Sequence, residues 1–328
     1  MKPTIRRKHR YSKVVILFLL GFVLMGAASK KDPVQFNFKA MSEYFHLLLD
    51  TRHHFPDSIV LMNDYVYSLN ALGEPPDPQR KERMLAFARE LQQPDGGFSV
   101  DPETKTSSSL YTDYTLETLA YMRAINSIDV GKTTSYFASL KQPDGGFSFN
   151  KEKKESTLIT TYHAVHSLSL LNELSIIDKA KTAEYIKGFE KKDTGGFSYV
   201  KRTGIPNAKD TYLGLYALKT LGLLDDDTKK RAIKFLASTP YSGKFNKTAK
   251  TLTLEEQVYT LSALRILEST MVLNKEKVVL FLKTFYVPED GAFAAIQGFK
   301  SAPDSTRLGI RGLAELGLLK RPIESPLK

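Results

Sequence analysis

The chain of 328 residues contains no cysteine and no tryptophan. The missing cysteine excludes disulfide bonds, thiolate metal ligands, a thiol nucleophile and a lipid-modified N-terminal cysteine. Hydrophobic residues make up 42% of the chain and charged residues 25%, which is typical of a globular protein. We therefore expect a folded protein, with disorder only at its ends.

Positive charge is concentrated at the N-terminus. Six of the charges behind the net +11 come from Lys2, Arg6, Arg7, Lys8, Arg10 and Lys13. An uncharged apolar run at 14–28 follows and ends in small residues, as in a secretory signal peptide, and it is shorter than a membrane-spanning helix. We predict that residues 1–28 are a cleaved signal peptide or, alternatively, an N-terminal anchor that engages the membrane or the export machinery. The folded part would then be exported, to the periplasm, the exterior or the outer side of a membrane.

The rest of the chain is only mildly basic, with about five net positive charges once the leader is removed. A balance of this size does not favour a nucleic acid as the partner.

A short turn motif recurs along the chain. QPDGGFS occupies 93–99 and 142–148, and KDTGGFS occupies 192–198. The phenylalanine of the motif returns at intervals of 48 to 50 residues, as Phe98, Phe147, Phe197, Phe245 and Phe293. A fixed period of this size indicates a repeat architecture. We interpret the motif as a structural joint whose glycine pair supplies positive-φ positions and whose aspartate binds nearby backbone amides.

Two helical patterns lie between successive turns. The more apolar helices are predicted at 58–72, 111–122, 160–171, 210–224, 254–267 and 304–319, and more amphipathic ones at 78–93, 131–142, 179–192 and 274–285. The last apolar helix and a first helix at 38–49 have no sequential partner, so together they would form a sixth pair. This predicts an all-α fold, an α/α toroid or (α/α)6 barrel of about six helix pairs, over residues 29–319. The apolar helices would form the inner circle, and residues 320–328 a short tail.

Leu91–Phe98 and Leu140–Phe147, together with D-x-Y-x-x-x-x-A-L at Asp210–Leu218, resemble the repeats of protein prenyltransferase β subunits. They are also similar to the repeats of squalene and terpene cyclases, which carry tryptophan where this chain has Phe98 and Phe147. The resemblance covers about residues 58–319 and implies an α/α toroid around a cavity. It implies prenyltransferase- or cyclase-like activity as one alternative and binding without chemistry as the other, because one fold hosts many functions.

The resemblance does not carry its catalytic groups over. In prenyltransferase β subunits an aspartate, a cysteine and a histidine near the starts of two late inner helices bind zinc. The corresponding positions here lie near Leu254, Glu256 and Arg307, so we expect no zinc and no other cofactor. Cyclases of this fold use an aspartate-rich proton donor, D-x-D-D. The run 225–227 has no such pattern and is interpreted as an anionic cluster at a helix N-terminus.

Polar side chains near the starts of the inner helices are the candidate cavity lining. They are Asp113, Tyr114, Tyr162, His163, Asp210, Tyr212, Glu256, Tyr259, Asp304, Arg307 and Arg311. In a closed ring they would converge on one mouth, and a mostly apolar pocket with a few polar groups is typical of a ligand site. The alternative for the three aspartates is helix capping. His163 and His166 have a metal-compatible spacing, but without a third ligand they are interpreted as packed or solvated.

Basic residues recur in the loops that follow the turns. Lys153, Lys201, Arg202 and Lys247 are the candidates for binding an anion. In a closed ring these loops share one rim, where a basic collar would attract a prenyl diphosphate, a phospholipid head group or an acidic polymer. The alternative is ordinary solvated loops. The sequence thus predicts a lipid or isoprenoid-like ligand in the cavity, and a protein- or glycan-binding scaffold is the further alternative.

Overall fold

The computed structural model describes residues 35–51, 57–239 and 253–321. The predicted leader at 1–28 and the candidate Lys247 lie outside these residues. The described part holds twelve α-helices: α1 (Phe38–Thr51), α2 (Ile59–Leu72), α3 (Pro78–Leu91), α4 (Ser109–Tyr121), α5 (Val130–Ser139), α6 (Leu158–Leu170), α7 (Lys179–Lys187), α8 (Ala208–Thr220), α9 (Asp226–Ser238), α10 (Leu254–Ile266), α11 (Lys275–Lys283) and α12 (Pro303–Glu315). None of these helices is long and apolar enough to cross a membrane.

The even-numbered helices form a closed inner ring. Each packs against the next, from α2 through α4, α6, α8 and α10 to α12, and α12 packs against α2. Outer helices α5, α7, α9 and α11 each pack on the inner helix that follows them, and α1 packs on α2. The predicted all-α toroid of six helix pairs is therefore confirmed.

Burial divides the two kinds of helix as their sequences predict. Inner helix α8 is buried at Ala208 and at every residue from Asp210 to Leu218. Outer helix α9 buries only Thr228, Ala232 and Leu236, which lie four residues apart on one face. The apolar helices are thus enclosed by their neighbours, and the amphipathic ones expose a charged face to solvent. Asp225 caps α9 through the Thr228 amide, which confirms the anionic cluster at its N-terminus.

The turn between an outer helix and the next loop is held by its aspartate. The amide of Gly97 donates to Asp95 Oδ1 at 3.0 Å. Gly96 has φ +91°, and a Cβ there would lie 2.2 Å from the carbonyl oxygen of Lys132 on the neighbouring outer helix. The second glycine does not have a positive φ, so that part of the prediction is wrong. A residue larger than glycine does not fit at position 97, because a Cβ there would lie 2.7 Å from the Tyr136 ring.

In four turns of the described part, the phenylalanine is buried and joined to an inner helix, and Phe245 lies outside the described residues. Its backbone amide donates to a threonine hydroxyl in the first turn of that helix. The pairs are Phe98 and Thr112 at 2.9 Å, Phe147 and Thr161 at 3.1 Å, Phe197 and Thr211 at 2.9 Å, and Phe293 and Thr306 at 3.1 Å. The recurrence of this bond confirms that the motif is a structural joint.

The first and last parts of the folded chain meet. A short antiparallel hairpin, β1 (Tyr286–Val287) and β2 (Ala292–Phe293), precedes α12 and packs against α1. The amide of Asn37 donates to the Tyr286 hydroxyl at 3.2 Å, and Met41 and Phe45 of α1 are fully buried. The two ends of the folded chain therefore meet, as the unpartnered patterns predict, but the main helix contact of α1 is with α2 and not with α12.

Candidate functional site in the ring interior

The side chains that face the centre of the ring recur at fixed distances from the helix N-caps. These caps are Ser58, Ser108, Thr157, Asn207, Thr253 and Ala302. Nine residues after each cap stands Tyr67, Glu117, His166, Tyr216, Ser262 or Arg311. Five or six residues after it stand Asp64, Asp113, Tyr114, Tyr162, His163, Tyr212, Tyr259 and Arg307. Because the inner helices run in the same direction, these positions form two adjacent layers of the interior.

The interior is not completely filled by side chains. Each inner helix is covered by outer helices behind and inner helices beside it, so accessible area at these positions faces the centre. The side chains of Arg307, Glu117 and Arg311 keep 15%, 17% and 16% of their area accessible. Solvent therefore reaches these three charged groups only to a small extent.

Arg307 and Glu117 join helices that are not neighbours in the ring. Nη2 of Arg307 donates to Oε2 of Glu117 at 3.1 Å, from α12 to α4. Glu117 also accepts from Asn63 Nδ2 at 3.0 Å and from the Tyr121 hydroxyl at 2.5 Å. The carboxylate of Glu117 is thus satisfied by three donors, which offsets the cost of its burial.

Asp64 is the second acid beside Arg307. Its Oδ1 lies 3.6 Å from Nε of Arg307, whose guanidinium also covers the Tyr67 ring at 4.8 Å. Burial raises the pKa of Asp64 to about 7, because the attraction of Arg307 does not offset the lost hydration and the charges of Asp304 and Glu117. Asp64 can therefore gain or lose a proton near neutral pH.

Arg311 lies on two tyrosine rings. Its guanidinium is 4.7 Å from the ring centre of Tyr212 and 5.4 Å from that of Tyr259. Nε donates to Ser262 Oγ at 3.1 Å, and the nearest carboxylate oxygen, on Glu315, lies 4.0 Å away. Burial opposes the charge, but the two tyrosines and Glu315 outweigh it and raise the pKa of Arg311. Arg311 therefore stays charged. The carboxylates near it neutralise its charge less than Glu117 and Asp64 neutralise the charge of Arg307.

Asp113 lies between two histidines of α6. Its Oδ2 is 2.8 Å from His163 Nδ1, its Oδ1 is 2.8 Å from His166 Nδ1, and Ser167 Oγ donates to Oδ1 at 2.9 Å. Burial alone would raise the pKa of Asp113, but His166 and His163 outweigh it and hold the pKa low. Burial would lower the pKa of His166, and Asp113 reverses this and raises it. Both Nδ1 atoms face one carboxylate, so Asp113 holds the two imidazoles in place.

Tyrosine rings form most of the remaining inner surface of the ring, which we call the tyrosine wall. Tyr162 stacks on His166 with ring centres 5.7 Å apart and lies 5.3 Å from Tyr216. Tyr212 lies 6.0 Å from Tyr162 and 5.3 Å from Tyr259. The wall continues on α2 and α4 with Tyr67, Tyr114 and Tyr121. A continuous aromatic surface therefore lines the interior, with hydroxyls that can form hydrogen bonds.

Sequence reasoning found only part of this wall. It named Tyr114, Tyr162, Tyr212 and Tyr259, and the structure brings them together with Asp113, His163, Arg307 and Arg311. It missed Asp64, Tyr67, Glu117, Tyr121, His166 as a wall residue, Tyr216 and Glu315. Counting nine residues from each N-cap would have found four of them, because that offset defines the second layer.

Three candidates lie away from the tyrosine wall. Asp210 accepts from Asn207 Nδ2 at 2.7 Å, and Glu256 accepts from the Ala208 amide at 3.1 Å, both at the start of the inner helices. Burial raises the pKa of each of these carboxyls. Asp304 is exposed and accepts from the amide of the next residue. These three residues therefore make local hydrogen bonds at the helix starts and are not part of the tyrosine wall, and their convergence on one mouth stays a prediction.

Helix capping does not explain the aspartates either. The N-caps of α4, α8 and α12 are Ser108, Asn207 and Ala302. Asp113 and Asp210 lie inside their helices, and Asp304 lies in the first turn after its cap. The capping alternative is thus wrong, and the burial of Asp113 has to be explained by its histidine partners.

The basic loop residues are partly held by aromatic rings. The ammonium of Lys201 lies 3.8 Å from the ring centre of Tyr185, and that of Lys153 lies 5.4 Å from that of Phe149. Arg202 is exposed. These contacts fix two of the charges on the rim.

The residues at the positions that bind zinc in prenyltransferase β subunits do not fit the metal. Leu254 is fully buried and has no donor atom, and Arg307 is a cation in two ion pairs. Glu256 is the only one with a ligand atom, and it is bound to a backbone amide. Within residues 35–51, 57–239 and 253–321, no group of three or more acidic or histidine side chains could hold a metal ion.

Comparison with known proteins identifies the family. The model of the prenyltransferase alpha-alpha toroid domain matches residues 58–251 and 207–319, so the chain belongs to this family. Candida albicans protein geranylgeranyltransferase-I, solved with GGPP, is 14% identical over 90% of this chain and 96% of its own, with a TM-score of 0.75. No curated protein sequence matches the chain.

Type II terpene cyclases have the same fold. A variant of MstE from Scytonema, solved with geranylgeranyl dihydroxybenzoate, is 13% identical over 86% of this chain and 98% of its own, with a TM-score of 0.58. The apo form of MstE is 13% identical over 85% and 98%, with a TM-score of 0.55. At these identities the likeness shows the toroid fold and leaves the activity to the side chains of the interior.

Proposed function

We propose that the protein is an exported toroid that binds a lipid or isoprenoid-like ligand inside its ring, without a zinc ion. The observation that carries the proposal is the tyrosine wall of the ring interior, with Arg311 in its second layer. An apolar chain gains about 25 cal/mol for each Å² that it buries against such a wall. Ring faces accept the chain, and hydroxyls and one arginine remain for a polar end.

We expect the polar end of the ligand to lie beside Arg311. Arg307 is neutralised by Glu117 at 3.1 Å and Asp64 at 3.6 Å. Glu315 is 4.0 Å from Arg311 and also lies 3.5 Å from Arg265, which competes for the same carboxylate. A partly neutralised guanidinium in a poorly hydrated interior attracts an anionic or polar head group.

Two further observations support the proposal. The structures solved for geranylgeranyltransferase-I and MstE carry GGPP and a geranylgeranyl dihydroxybenzoate, so this ring accommodates isoprenoid chains in other proteins. Export is supported by the basic and apolar leader, and zinc independence by the residues at 254, 256 and 307. The alternative, a scaffold that binds a protein or a glycan, would not require the tyrosine side chains of the interior.

The test is a binding titration of the purified full chain with two probes, geranylgeraniol and geranylgeranyl diphosphate. We expect Tyr212→Leu to weaken both probes about tenfold, because it removes ring contacts and a hydroxyl. Arg311→Gln should weaken the diphosphate about tenfold and leave the alcohol unchanged. Arg83→Gln and Leu280→Gln are the matched controls, since both residues are exposed on outer helices. Failure of the wild type to bind either probe would favour the scaffold.

A second candidate function is processing of the bound ligand by a cyclase- or transferase-like enzyme. Asp64 favours it, because a carboxyl whose pKa burial raises to about 7 can hold a proton in the interior at neutral pH. The supporting result would be a product that the wild type forms from geranylgeraniol and Asp64→Asn does not, with probe affinity unchanged.

A further inference from the structure

Two loops on one rim of the ring expose large apolar side chains. Tyr199, Val200 and Ile205 belong to the loop before α8, and Ile296 and Phe299 to the loop before α12. Ile205 keeps 86% of its area accessible and Phe299 65%. We call these five residues the apolar rim patch. Loops of this kind are usually polar, so exposed side chains of this size indicate an interaction surface.

The two loops border the same inner helix. The carbonyl of Ala295, beside Ile296, accepts from the amide of Leu254 at the start of α10 at 3.4 Å. On the other flank, Glu256 of α10 accepts from the amide of Ala208, which follows the loop before α8. The apolar rim patch therefore lies on one side of the ring, around the N-terminus of α10.

The charges in the two loops have one sign. Residues 198–207 contain Lys201 and Arg202, residues 294–302 contain Lys300, and neither loop contains an acidic residue. All three basic residues are exposed. Two acids, Glu255 and Glu256, lie between the loops at the start of α10. Lys209 Nζ lies 2.8 Å from Glu255, and Glu256 accepts from the Ala208 amide, so both carboxylates already have partners.

Apolar side chains in loops whose own charges are all basic match the surface of an anionic bilayer. The apolar groups enter the acyl boundary, and the basic groups bind the lipid phosphates. We propose that the apolar rim patch, with Lys201, Arg202 and Lys300, docks the ring on an anionic membrane surface. The rim that carries the N-termini of the inner helices then faces the bilayer.

This docking is independent of a ligand inside the ring. The rim patch shares no residue with the tyrosine wall, so a defect in one leaves the other intact. Failure of the probe titrations would not change the behaviour of the rim, and failure of docking would leave interior binding unaffected.

The absence of tryptophan from the chain gives the experiment its reporters. In the full chain, Ile205→Trp or Phe299→Trp places a single tryptophan in the patch. Leu223→Trp and Leu318→Trp are matched controls, since both are exposed residues just beyond the C-terminal ends of inner helices, at the opposite rim. Each protein is mixed with vesicles of equal parts phosphatidylglycerol and brominated phosphatidylcholine. Quenching reports how deeply each rim enters the bilayer, independently of any membrane contact made by residues 1–28.

We expect blue-shifted and quenched fluorescence at positions 205 and 299, and neither change at 223 and 318. Changing Lys201, Arg202 and Lys300 together to Gln should weaken docking about 100-fold at low salt, at about fivefold for each charge. The same change at Lys179, Lys230 and Lys275, which lie on outer helices, should have no effect. Salt should weaken docking of the unmodified rim, because exposed charges are screened.

Equal quenching at both rims would overturn the proposal, because it would show immersion without orientation. Unquenched reporters at 205 and 299 would overturn it as well. A blue shift that depends on protein concentration and needs no vesicles would show that a second copy of the chain covers the patch instead.

Discussion

Arg307 and Glu117 are 190 residues apart in sequence, and a 3.1 Å hydrogen bond joins them inside the ring. Their helices, α12 and α4, are separated by α2, so the bond crosses the interior instead of following the wall. Each partner is mostly buried, and neither can recover water if the other is removed. This pair therefore offers a direct measurement of how polar groups in the interior affect stability.

Arg307→Met should destabilise the protein by about 3 kcal/mol, because it leaves Glu117 and Asp64 without their cation in a poorly hydrated site. Arg307→Lys should lose less, since a charge remains. Urea unfolding measures the difference.

The control is an exposed ion pair of similar length. Lys187 lies 2.7 Å from Asp225, with 39% and 47% of the two side chains accessible. Lys187→Met should cost less than about 1 kcal/mol. Equal losses for the two substitutions would show that the interior is as well hydrated as the surface.

Asp64 should make the protein less stable as pH rises. Burial raises its pKa from the ordinary value to about 7, so the folded state holds a proton that the unfolded state has already released. Its contribution to stability is largest below pH 4 and falls as pH rises from about 4 to about 7. Asp64→Asn should therefore become more stable relative to wild type across that window, in melting temperatures measured from pH 4 to pH 8. A constant difference would contradict the raised pKa.

Asp113 should show the opposite sign. His166 and His163 outweigh its burial and lower its pKa, so its contribution is fully present above the ordinary aspartate value and is lost as pH falls below it. Asp113→Asn should destabilise the protein at pH 7, by an amount that shrinks as pH falls below about 4. Melting temperatures measured from about pH 2 to about pH 7 check this prediction.

The turn glycines can be tested with a matched pair. Gly96 and Gly73 both have positive φ, at 91° and 85°, but a Cβ on Gly96 would lie 2.2 Å from a backbone oxygen and one on Gly73 would meet nothing within 4 Å. Gly73→Ala should cost about 1–2 kcal/mol from backbone strain alone. Gly96→Ala adds the clash and should cost about 3 kcal/mol or more. Equal costs in urea unfolding would show that the turn can move away from its neighbour.

The packing of α1 on the ring can be tested by substitution. Phe45 is fully buried, whereas Phe38 on the same helix keeps 40% of its area accessible. Phe45→Ala should cost about 3–5 kcal/mol, similar to Phe147→Ala in a central repeat, and Phe38→Ala less than about 1 kcal/mol. A low cost at both positions would mean that α1 is not held firmly on the ring, whose inner circle is closed by α12 and α2.

Zinc independence has its own measurement. Elemental analysis of the purified protein should find less than stoichiometric zinc, because the positions near Leu254, Glu256 and Arg307 supply one carboxylate and no thiolate. One zinc per chain would contradict this, and His163→Ala would then be the first ligand test.

The ring could be predicted from the sequence because its signals are local. The turn motif, its period and the two helical patterns each depend on residues within about one repeat. Helix boundaries were predicted less accurately. The helix predicted at 179–192 spans Lys179–Lys187 in the structure, because it ends at Gly188.

The interior network could not be predicted in the same way. Asp64 and Glu117 look like ordinary polar residues on mostly apolar helices, and nothing near them in sequence indicates Arg307. Whether these side chains come into contact depends on where along the ring axis each inner helix starts, and the N-caps determine that position. Asp210, Asp304 and Glu256 show the same limit, since a helix start alone does not tell whether a side chain faces the centre.

The bond between the Asn37 amide and the Tyr286 hydroxyl has a consequence for the order of folding. Its two residues are separated by 249 positions, and the chain is made from its N-terminus. Helix α1 therefore exists before the hairpin that contacts it, and its first partner along the chain is α2, whose Tyr65 ring lies 6.4 Å from that of Phe45. Contacts of such long range form slowly, because the loop between them must close first. We therefore expect the contacts of α1 with the hairpin to form late in folding.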